Sequence, residues 1–171
     1  YIGGGTPSII KTEQLANIIR TVKEYYLAGI REFTLEANPG TLSREKLLDM
    51  KAIGVNRLSL GVQAMDDLLL AEMGRLHDRR QAVEAINSAR EAGINNIGVD
   101  LIYGLPGQTP KDWEETLLRT AALRPEHISA YGLTLAPDTA WGKKHSRGEL
   151  VLPEENDWAE MYRTCGEILI G

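Results

Sequence analysis

The sequence predicts an α/β fold in which parallel strands alternate with helices. Three observations support this prediction: amphipathic helical segments alternate with short apolar runs, a glycine ends several of the helical segments, and a polar side chain accompanies each apolar run. Strands that alternate with helices pair in parallel through crossover connections. The 171 residues suffice for about one domain.

The helical segments show the 3.6-residue period of amphipathic helices with one buried face. Ser43 and Thr109 are suitable N-caps, and Gly29, Gly54 and Gly93 are suitable stops. The predicted ranges are 12–27, 43–53, 66–73, 79–92, a helix that starts after Thr109, and a last helix from about Asp157. The predicted buried faces are Leu15, Ile18, Ile19 and Val22; Val83, Ile86 and Ala89; and Trp113, Leu117 and Ala121. A polar loop is predicted from 137 to 148.

Between the helices lie apolar runs that are too short for helices and rich in strand-forming residues. The opening residues form one such run, and the others are 32–35, 57–62, 97–102 and 127–133. Glu36, Gln63 and Thr134 follow three of the runs, and Asp100 lies inside the fourth. Because the carboxyl ends of parallel strands share one edge, where such folds assemble their sites, these polar groups predict a ligand-facing rim.

Three consecutive glycines, Gly3 to Gly5, precede Thr6 and Pro7. Each glycine inside a regular element costs roughly 0.5–1 kcal/mol relative to alanine, so the run needs a structural reason. One reason is a turn, and the other is close approach of the backbone to a ligand. The known phosphate-binding glycine patterns are absent.

The charged candidates each have a structural alternative. Glu36 is either a solvated residue before an Asn-Pro-Gly turn or a carboxylate that faces an amino group of a ligand. Asp100 lies in an otherwise apolar run and needs a partner. Arg75 either supplies a cation at the rim or is an exposed arginine at a helix end.

Composition excludes several classes of protein. A formal charge of −5 without a basic block argues against non-specific nucleic-acid binding. One cysteine, Cys165, excludes an internal disulfide and any metal site with two thiolates of this sequence. The three histidines, His77, His127 and His145, lack ligand spacing and are interpreted as surface or packed residues. No apolar run reaches the roughly 20 residues that span a bilayer.

Several longer motifs resemble the radical S-adenosylmethionine family, and within it the group of oxygen-independent coproporphyrinogen III oxidases and their haem chaperone relatives. They cover residues 1 to about 160 in the family's order. The matching stretches are GGGTP at 3–7, LEANPG at 35–40, NRLSLGVQ at 56–63, GRLH at 74–77, VDLIYGLPGQT at 99–109 and PEHISAYGLT at 125–134.

The resemblance implies a partial, TIM-like (β/α)6 barrel that is open at one side. Residues 1–136 would run from the end of the second strand through the sixth, and 137–171 would be a loop and the start of a truncated C-terminal helical region. The chain is therefore expected to be a fragment. The first strand and the Cys-x-x-x-Cys-x-x-Cys loop that holds a [4Fe–4S] cluster would lie upstream, so the fragment alone is expected to bind no cluster and to be inactive.

The resemblance also assigns cofactor-binding positions and no catalytic residue. In the family a reduced cluster donates an electron to the sulfonium of S-adenosylmethionine, which yields methionine and a 5′-deoxyadenosyl radical. The residues implied to contact the cofactor are Gly4, Gly5, Thr6, Glu36, Gln63, Arg75, Asp100 and Thr134.

Two functions follow from the resemblance, and a barrel of unrelated activity is the structural alternative. The favoured one is haem binding and delivery to client proteins, because ANPG at 37–40 and GRLH at 74–77 resemble the chaperone branch. The other is radical decarboxylation of coproporphyrinogen III to protoporphyrinogen IX. The expected location is the cytoplasm, and any membrane association would come through clients. The electron donor and the haem ligand are left open, although His77 in GRLH is one candidate.

Overall fold

The computed structural model describes residues 1–25 and 29–170. Four parallel strands form one sheet in the order β1-β2-β3-β4, and each strand pairs with the next one along the chain. The strands are β1 (Thr34–Ala37), β2 (Arg57–Gln63), β3 (Asn96–Tyr103) and β4 (His127–Gly132). The predicted opening strand is reduced to a single parallel bridge between Ile2 and Leu35.

Within residues 1–25 and 29–170, seven α-helices connect and cover the strands. They are α1 (Thr12–Tyr25), α2 (Arg44–Ala52), α3 (Asp67–Glu72), α4 (Arg79–Glu91), α5 (Pro110–Ala122), α6 (Ala140–Ser146) and α7 (Glu155–Ile170). The predicted end of the first helix, at 27, lies outside the described residues. No helix in the described part of the chain has both the length and the apolar character that a bilayer crossing requires.

The predicted caps are confirmed. The Ser43 side chain accepts a hydrogen bond from the Lys46 N–H, and Thr109 forms a reciprocal capping box with Asp112. The prediction of a loop over 137–148 is wrong, because this segment contains helix α6. The Thr139 side chain caps the helix by accepting a hydrogen bond from the Gly142 N–H. The last helix begins at Glu155, slightly before the predicted start.

The first strand begins two residues later than predicted. The Phe33 N–H donates to the side chain of Asn56 at 2.7 Å instead of joining the strand ladder, so regular pairing begins at Thr34. The strand ends at Ala37, so Glu36 lies within β1 instead of following it, and Asp100 lies in the middle of β3. The last strand ends at Gly132, one residue short of the predicted boundary.

The two faces of the sheet differ in polarity because side chains alternate along a strand. One face packs beneath the helices, and its side chains are fully buried: Leu58, Leu60, Val62, Ile97, Val99 and Leu101. The other face carries mostly polar residues and remains open. The chain is thus an arc of βα units with a polar inner face.

The helix faces are partly as predicted. Leu15 and Ile19 of α1 are buried, whereas Ile18 and Val22 are 44% and 40% exposed. The prediction fails for those two because α1 packs against α2 beside β1, where only the bridge at Ile2 continues the sheet. In the other helices, Ile86, Ala89, Trp113 and Leu117 are buried, while Val83 and Ala121 are half-buried.

The C-terminal helix α7 packs against α5 and the end of the sheet. Met161 is fully buried in the main core, and its carbonyl accepts a 2.9 Å hydrogen bond from the Trp113 indole N–H. Trp158 contacts Tyr103 edge-on with ring centroids 5.3 Å apart. Residues beyond 136 therefore share a core with the sheet, and the domain boundary at 136 stays a prediction.

Candidate cofactor-binding site

A cavity of about 560 Å³ opens on the polar face of the sheet. This volume lies within the usual range for small-molecule sites, roughly 300–1,000 Å³. Residues far apart in the sequence converge here because the four strands place successive inward-facing side chains side by side. The predicted site residues that line the cavity are Gly5, Thr6, Glu36, Gln63, Arg75 and Asp100.

The glycine run forms a turn that Glu36 holds in place. Gly4 and Gly5 have φ values of 85° and 63°, a left-handed conformation that only glycine adopts without strain. A Cβ on Gly3 would lie 2.6 Å from Oε1 of Glu36. The Gly4 N–H donates to Oε2 of Glu36 at 3.0 Å, and the Tyr1 hydroxyl donates to Oε1 at 2.8 Å. The turn explanation of the glycines is therefore confirmed, and ligand contact remains a prediction.

Desolvation and the Glu36 carboxylate also change the pKa of the Tyr1 hydroxyl. Desolvation raises the pKa of the Tyr1 hydroxyl, and the hydrogen bond to Glu36 raises it further. The hydroxyl therefore stays protonated at neutral pH and remains a donor to Glu36.

Gln63 occupies an unusual backbone conformation at the end of β2. Its φ is 72°, and the strand register shifts between Gly61 and Gln63, which marks a β-bulge. Left-handed backbone costs a non-glycine residue roughly 1–2 kcal/mol. A Cβ on Gly61 would lie 2.8 Å from Nε2 of Gln63 and 3.1 Å from Nη2 of Arg75, so Gly61 leaves room for both side chains.

Arg75 extends over the cavity from the loop after α3. Its Nη2 donates to Oδ1 of Asn38 at 2.7 Å and to the Gly61 carbonyl at 2.8 Å. Both acceptors are neutral, and burial lowers the pKa of the guanidinium. The alternative of an exposed arginine at a helix end is wrong, since the side chain is half-buried and lines the cavity.

The partner that Asp100 was expected to need is Ser59. The Ser59 hydroxyl, on β2, donates to Oδ2 of Asp100 at 2.9 Å across the sheet. Ser59 is buried, whereas Asp100 is half-buried at the cavity wall. One carboxylate oxygen is therefore oriented by the neighbouring strand, and the group retains acceptor capacity for a ligand.

Two predicted site residues do not line the cavity. Gly4 lies beside it, held by Glu36. Thr134 is exposed and follows the last strand by two residues, so the expected convergence does not include it. Its predicted cofactor contact stays a prediction.

Several lining residues were not singled out from the sequence. They are Tyr1, Ala37, Asn38, Arg57, Ser59, Gly61, Ile102, Ser129 and Tyr131. The signal that would have revealed three of them is the period-two alternation in 57–63, where polar or small residues alternate with Leu58, Leu60 and Val62.

The remaining reactive residues lie outside the cavity lining. His77 is buried, and its Nε2 lies 3.1 Å from the Val62 carbonyl, which makes it a packed histidine. His127 and His145 are exposed. The Cys165 thiol is half-buried and donates to the Met161 carbonyl at 3.3 Å, and burial raises its pKa. Among the described residues, no group of three potential ligands could hold a metal ion.

The charges around the cavity favour a ligand that carries both signs. Arg57 and Arg75 supply two cations, and Glu36 and Asp100 supply two anions. Within the described ranges, none of the four takes part in an ion pair. All four groups are half-buried and make hydrogen bonds to neutral partners, so a ligand with a carboxylate and an amino group would supply the opposite charges that this lining lacks.

A parallel βα arc with a polar cavity on its inner face places the chain in the class of barrel-type α/β folds. The family model for the Radical SAM superfamily matches residues 1–119, so the chain belongs to that superfamily. Membership implies S-adenosylmethionine and a [4Fe–4S] cluster as the family's cofactors.

The chain is similar to curated proteins of this superfamily. It is 42% identical over 95% of its length to "Heme chaperone HemW" of Bacillus subtilis, covering 43% of that protein. It is 41% identical over 99% of its length to "Heme chaperone HemW" of Synechocystis, covering 41% of that protein. The chain thus spans about two fifths of the length of these relatives.

A solved structure has the same fold. The coproporphyrinogen III oxidase of Escherichia coli, described as a radical SAM enzyme, superposes with a TM-score of 0.84 and 28% identity. The match covers 98% of this chain and 39% of the oxidase chain.

The lining fits one of the two implied cofactors. S-adenosylmethionine carries an ammonium, a sulfonium and a carboxylate, which suit the paired carboxylates and guanidiniums of the cavity. A [4Fe–4S] cluster takes cysteine thiolates, and Cys165 is the sequence's sole cysteine. Residues of this sequence therefore do not provide the cluster's ligand set.

Proposed function

We propose that the cavity binds S-adenosylmethionine and that the protein of which this chain is part binds haem and delivers it to client proteins. The observation that carries the cofactor assignment is the convergence of Glu36, Gln63, Arg75 and Asp100 on one cavity beside the glycine turn. The similarity to proteins named heme chaperones supports the haem assignment.

Three charged residues of the cavity have distinct parts in this proposal. Glu36 holds the glycine turn and presents its remaining lone pairs to the ligand's amino group. Arg75 pairs with the ligand's carboxylate, and Asp100, oriented by Ser59, accepts hydrogen bonds from the ligand. When bound, the cofactor supplies a sulfonium that can be cleaved reductively.

The cluster belongs to a longer protein in this proposal. The curated relatives are more than twice as long as the matched segment, and the cluster needs cysteines that this sequence lacks. We call that longer protein the intact protein. Its client proteins and its cytoplasmic location stay predictions.

A second function, oxidation of coproporphyrinogen III, is favoured by one observation. The arc superposes on the Escherichia coli oxidase over nearly the whole chain. Fold alone does not fix activity, because the same barrel supports many chemistries. The higher identity to proteins named heme chaperones makes haem delivery the better supported of the two.

The two functions are distinguished by paired anaerobic assays on the intact protein with its cluster loaded. We expect haem to bind stoichiometrically in a spectroscopic titration, and coproporphyrinogen III to remain unchanged in the presence of S-adenosylmethionine and reductant. The oxidase of Escherichia coli is the positive control for decarboxylation. Accumulation of protoporphyrinogen IX over repeated turnovers, with no haem binding, would overturn the proposal.

A further inference from the structure

Asn38 connects two parts of the cavity wall that are far apart in the sequence. Its Nδ2 donates to Oγ1 of Thr6 at 3.0 Å, and its Oδ1 accepts from Nη2 of Arg75 at 2.7 Å. Thr6 belongs to the glycine turn, and Arg75 follows α3. The asparagine side chain is the direct link between these two lining residues.

The Asn38 side chain does not form the hydrogen bond that is usual for an asparagine at the start of a turn. Asn38 precedes the short 3-10 helix Pro39–Thr41, and an asparagine at that position commonly caps such a helix. Here its side chain makes no cap hydrogen bond. The backbone of Asn38 serves the turn instead, since its carbonyl accepts from Thr41.

The orientation of the amide is fixed by its two partners. Arg75 offers only N–H donors, so the atom facing it must be the amide oxygen. The amide nitrogen then faces Thr6, whose hydroxyl oxygen accepts. A flipped amide would place two donors against each other.

A neutral acceptor at position 38 also preserves the charge of Arg75. The two contacts of Nη2 are the Asn38 amide oxygen and the Gly61 carbonyl, and in the described part of the chain Arg75 forms no ion pair. An aspartate at this position would have nearly the same shape but would neutralise the guanidinium. Asparagine thus orients the arginine and leaves its charge available.

We propose that Asn38 is a positioning residue that fixes Thr6 and Arg75 relative to each other and leaves the Arg75 charge available for the carboxylate of the ligand. This inference rests on the proposed binding of S-adenosylmethionine. It adds a lining residue that acts through two others, Thr6 and Arg75.

The test compares two ligands in the intact protein by equilibrium dialysis. S-adenosylmethionine carries the carboxylate, and decarboxylated S-adenosylmethionine lacks it but keeps the sulfonium and amino groups. We expect Asn38→Asp to weaken S-adenosylmethionine at least tenfold and to change the decarboxylated ligand less than threefold. Asn38→Ala removes the hydrogen bonds to both Thr6 and Arg75. It should weaken binding of S-adenosylmethionine at least as much as Asn38→Asp.

The matched control is Asn56→Ala. Asn56 also makes two side-chain hydrogen bonds, to the Phe33 N–H and the Arg31 carbonyl, but does not line the cavity. The Asn56→Ala variant should have a lower melting temperature and unchanged affinities for S-adenosylmethionine and for its decarboxylated form. Wild-type affinity of Asn38→Asp for S-adenosylmethionine, or equal weakening of both ligands, would overturn the inference. Failure of the wild-type protein to bind S-adenosylmethionine would instead overturn the proposed function.

Discussion

The backbone N–H of Gly4 donates a 3.0 Å hydrogen bond to Oε2 of Glu36, which ties the glycine turn to the first strand of the sheet. The other carboxylate oxygen accepts from the Tyr1 hydroxyl. Glu36 therefore has a structural part in forming the cavity before any ligand is considered. Its charge and its geometry can be tested separately.

Glu36→Gln should keep the turn and lose affinity. The amide oxygen can accept from Gly4 while the amide nitrogen donates to Tyr1, so hydrogen exchange of the Gly4 amide should equal that of the wild type. Loss of the charge should weaken binding of S-adenosylmethionine about fivefold, since a charged acceptor contributes about 1 kcal/mol more than a neutral one. Glu36→Ala should also accelerate Gly4 exchange. The control is Glu45→Gln, at an exposed position on α2. Affinity of Glu36→Gln equal to that of the wild type would contradict the prediction that the Glu36 charge contributes to binding.

Gln63→Gly should separate stability from binding. Relief of the left-handed conformation, about 1–2 kcal/mol, outweighs the additional entropy of an unfolded glycine, about 0.5–1 kcal/mol. We expect a gain of about 0.5–1 kcal/mol in unfolding free energy and about a tenfold loss of affinity for S-adenosylmethionine.

The matched control for Gln63 is Arg124→Gly. Arg124 is the other non-glycine residue with positive φ in the described ranges, and it lies outside the cavity lining. It should give the same gain in stability in urea unfolding and no change in affinity. Affinity of Gln63→Gly equal to that of the wild type would show that the Gln63 side chain does not contribute to binding, and a loss of stability would show that its left-handed backbone is not strained.

Gly104→Ala should be much more damaging than Gly107→Ala. Both glycines have positive φ, 76° and 74°. A Cβ on Gly104 would lie 2.3 Å from the Trp158 ring, whereas a Cβ on Gly107 meets nothing within 4 Å. We expect Gly104→Ala to lower the unfolding free energy by about 3 kcal/mol, because backbone strain and overpacking add. Gly107→Ala should lower it by about 1 kcal/mol, from backbone strain alone. Equal losses in urea unfolding would mean that Trp158 does not pack there.

The protein should lose stability below about pH 6.5 through His77. Burial lowers the pKa of His77 from 6.5, Arg75 contributes in the same direction, and the Val62 carbonyl and Asp78 oppose them. Between the folded and unfolded pKa values, the unfolded state binds more protons. This contribution is therefore complete above about pH 6.5 and falls as the pH decreases through that window.

His77→Gln should reduce this pH dependence of the melting temperature. The exposed His127→Gln is the control and should leave the slope unchanged. A slope that is the same in wild type and His77→Gln would assign the effect to other groups.

The sequence predicted the architecture and part of the cavity lining for a specific physical reason. Parallel strands that end in polar side chains must place those groups along one edge, so Glu36 and Gln63 could be assigned to a common site without coordinates. Thr134 followed the same logic but lies beyond the end of β4 at Gly132 and does not reach the cavity. A difference of one or two residues in where a strand ends therefore decides whether a polar side chain reaches the cavity.

Contacts between side chains could not be predicted in the same way. Asn38 stands in an Asn-Pro-Gly sequence that predicts only a turn, yet its side chain joins Thr6 to Arg75. Helix α6 was missed because its short sequence contains Gly142 and two lysines and resembles a loop, while the Thr139 cap stabilises it. These features depend on three-dimensional neighbours that local patterns do not identify.

The most direct test of the cofactor assignment is a titration of the intact protein with S-adenosylmethionine, in wild type and in Asp100→Ala. We expect one cofactor per wild-type chain, at least tenfold weaker binding in Asp100→Ala, and a melting temperature within about 3 °C of the wild type, since a half-buried side chain with one hydrogen bond contributes about 1 kcal/mol. The exposed Asp49→Ala should match the wild type in both measurements. Unchanged affinity in Asp100→Ala together with a large loss of thermal stability would contradict the assignment and make Asp100 a structural residue.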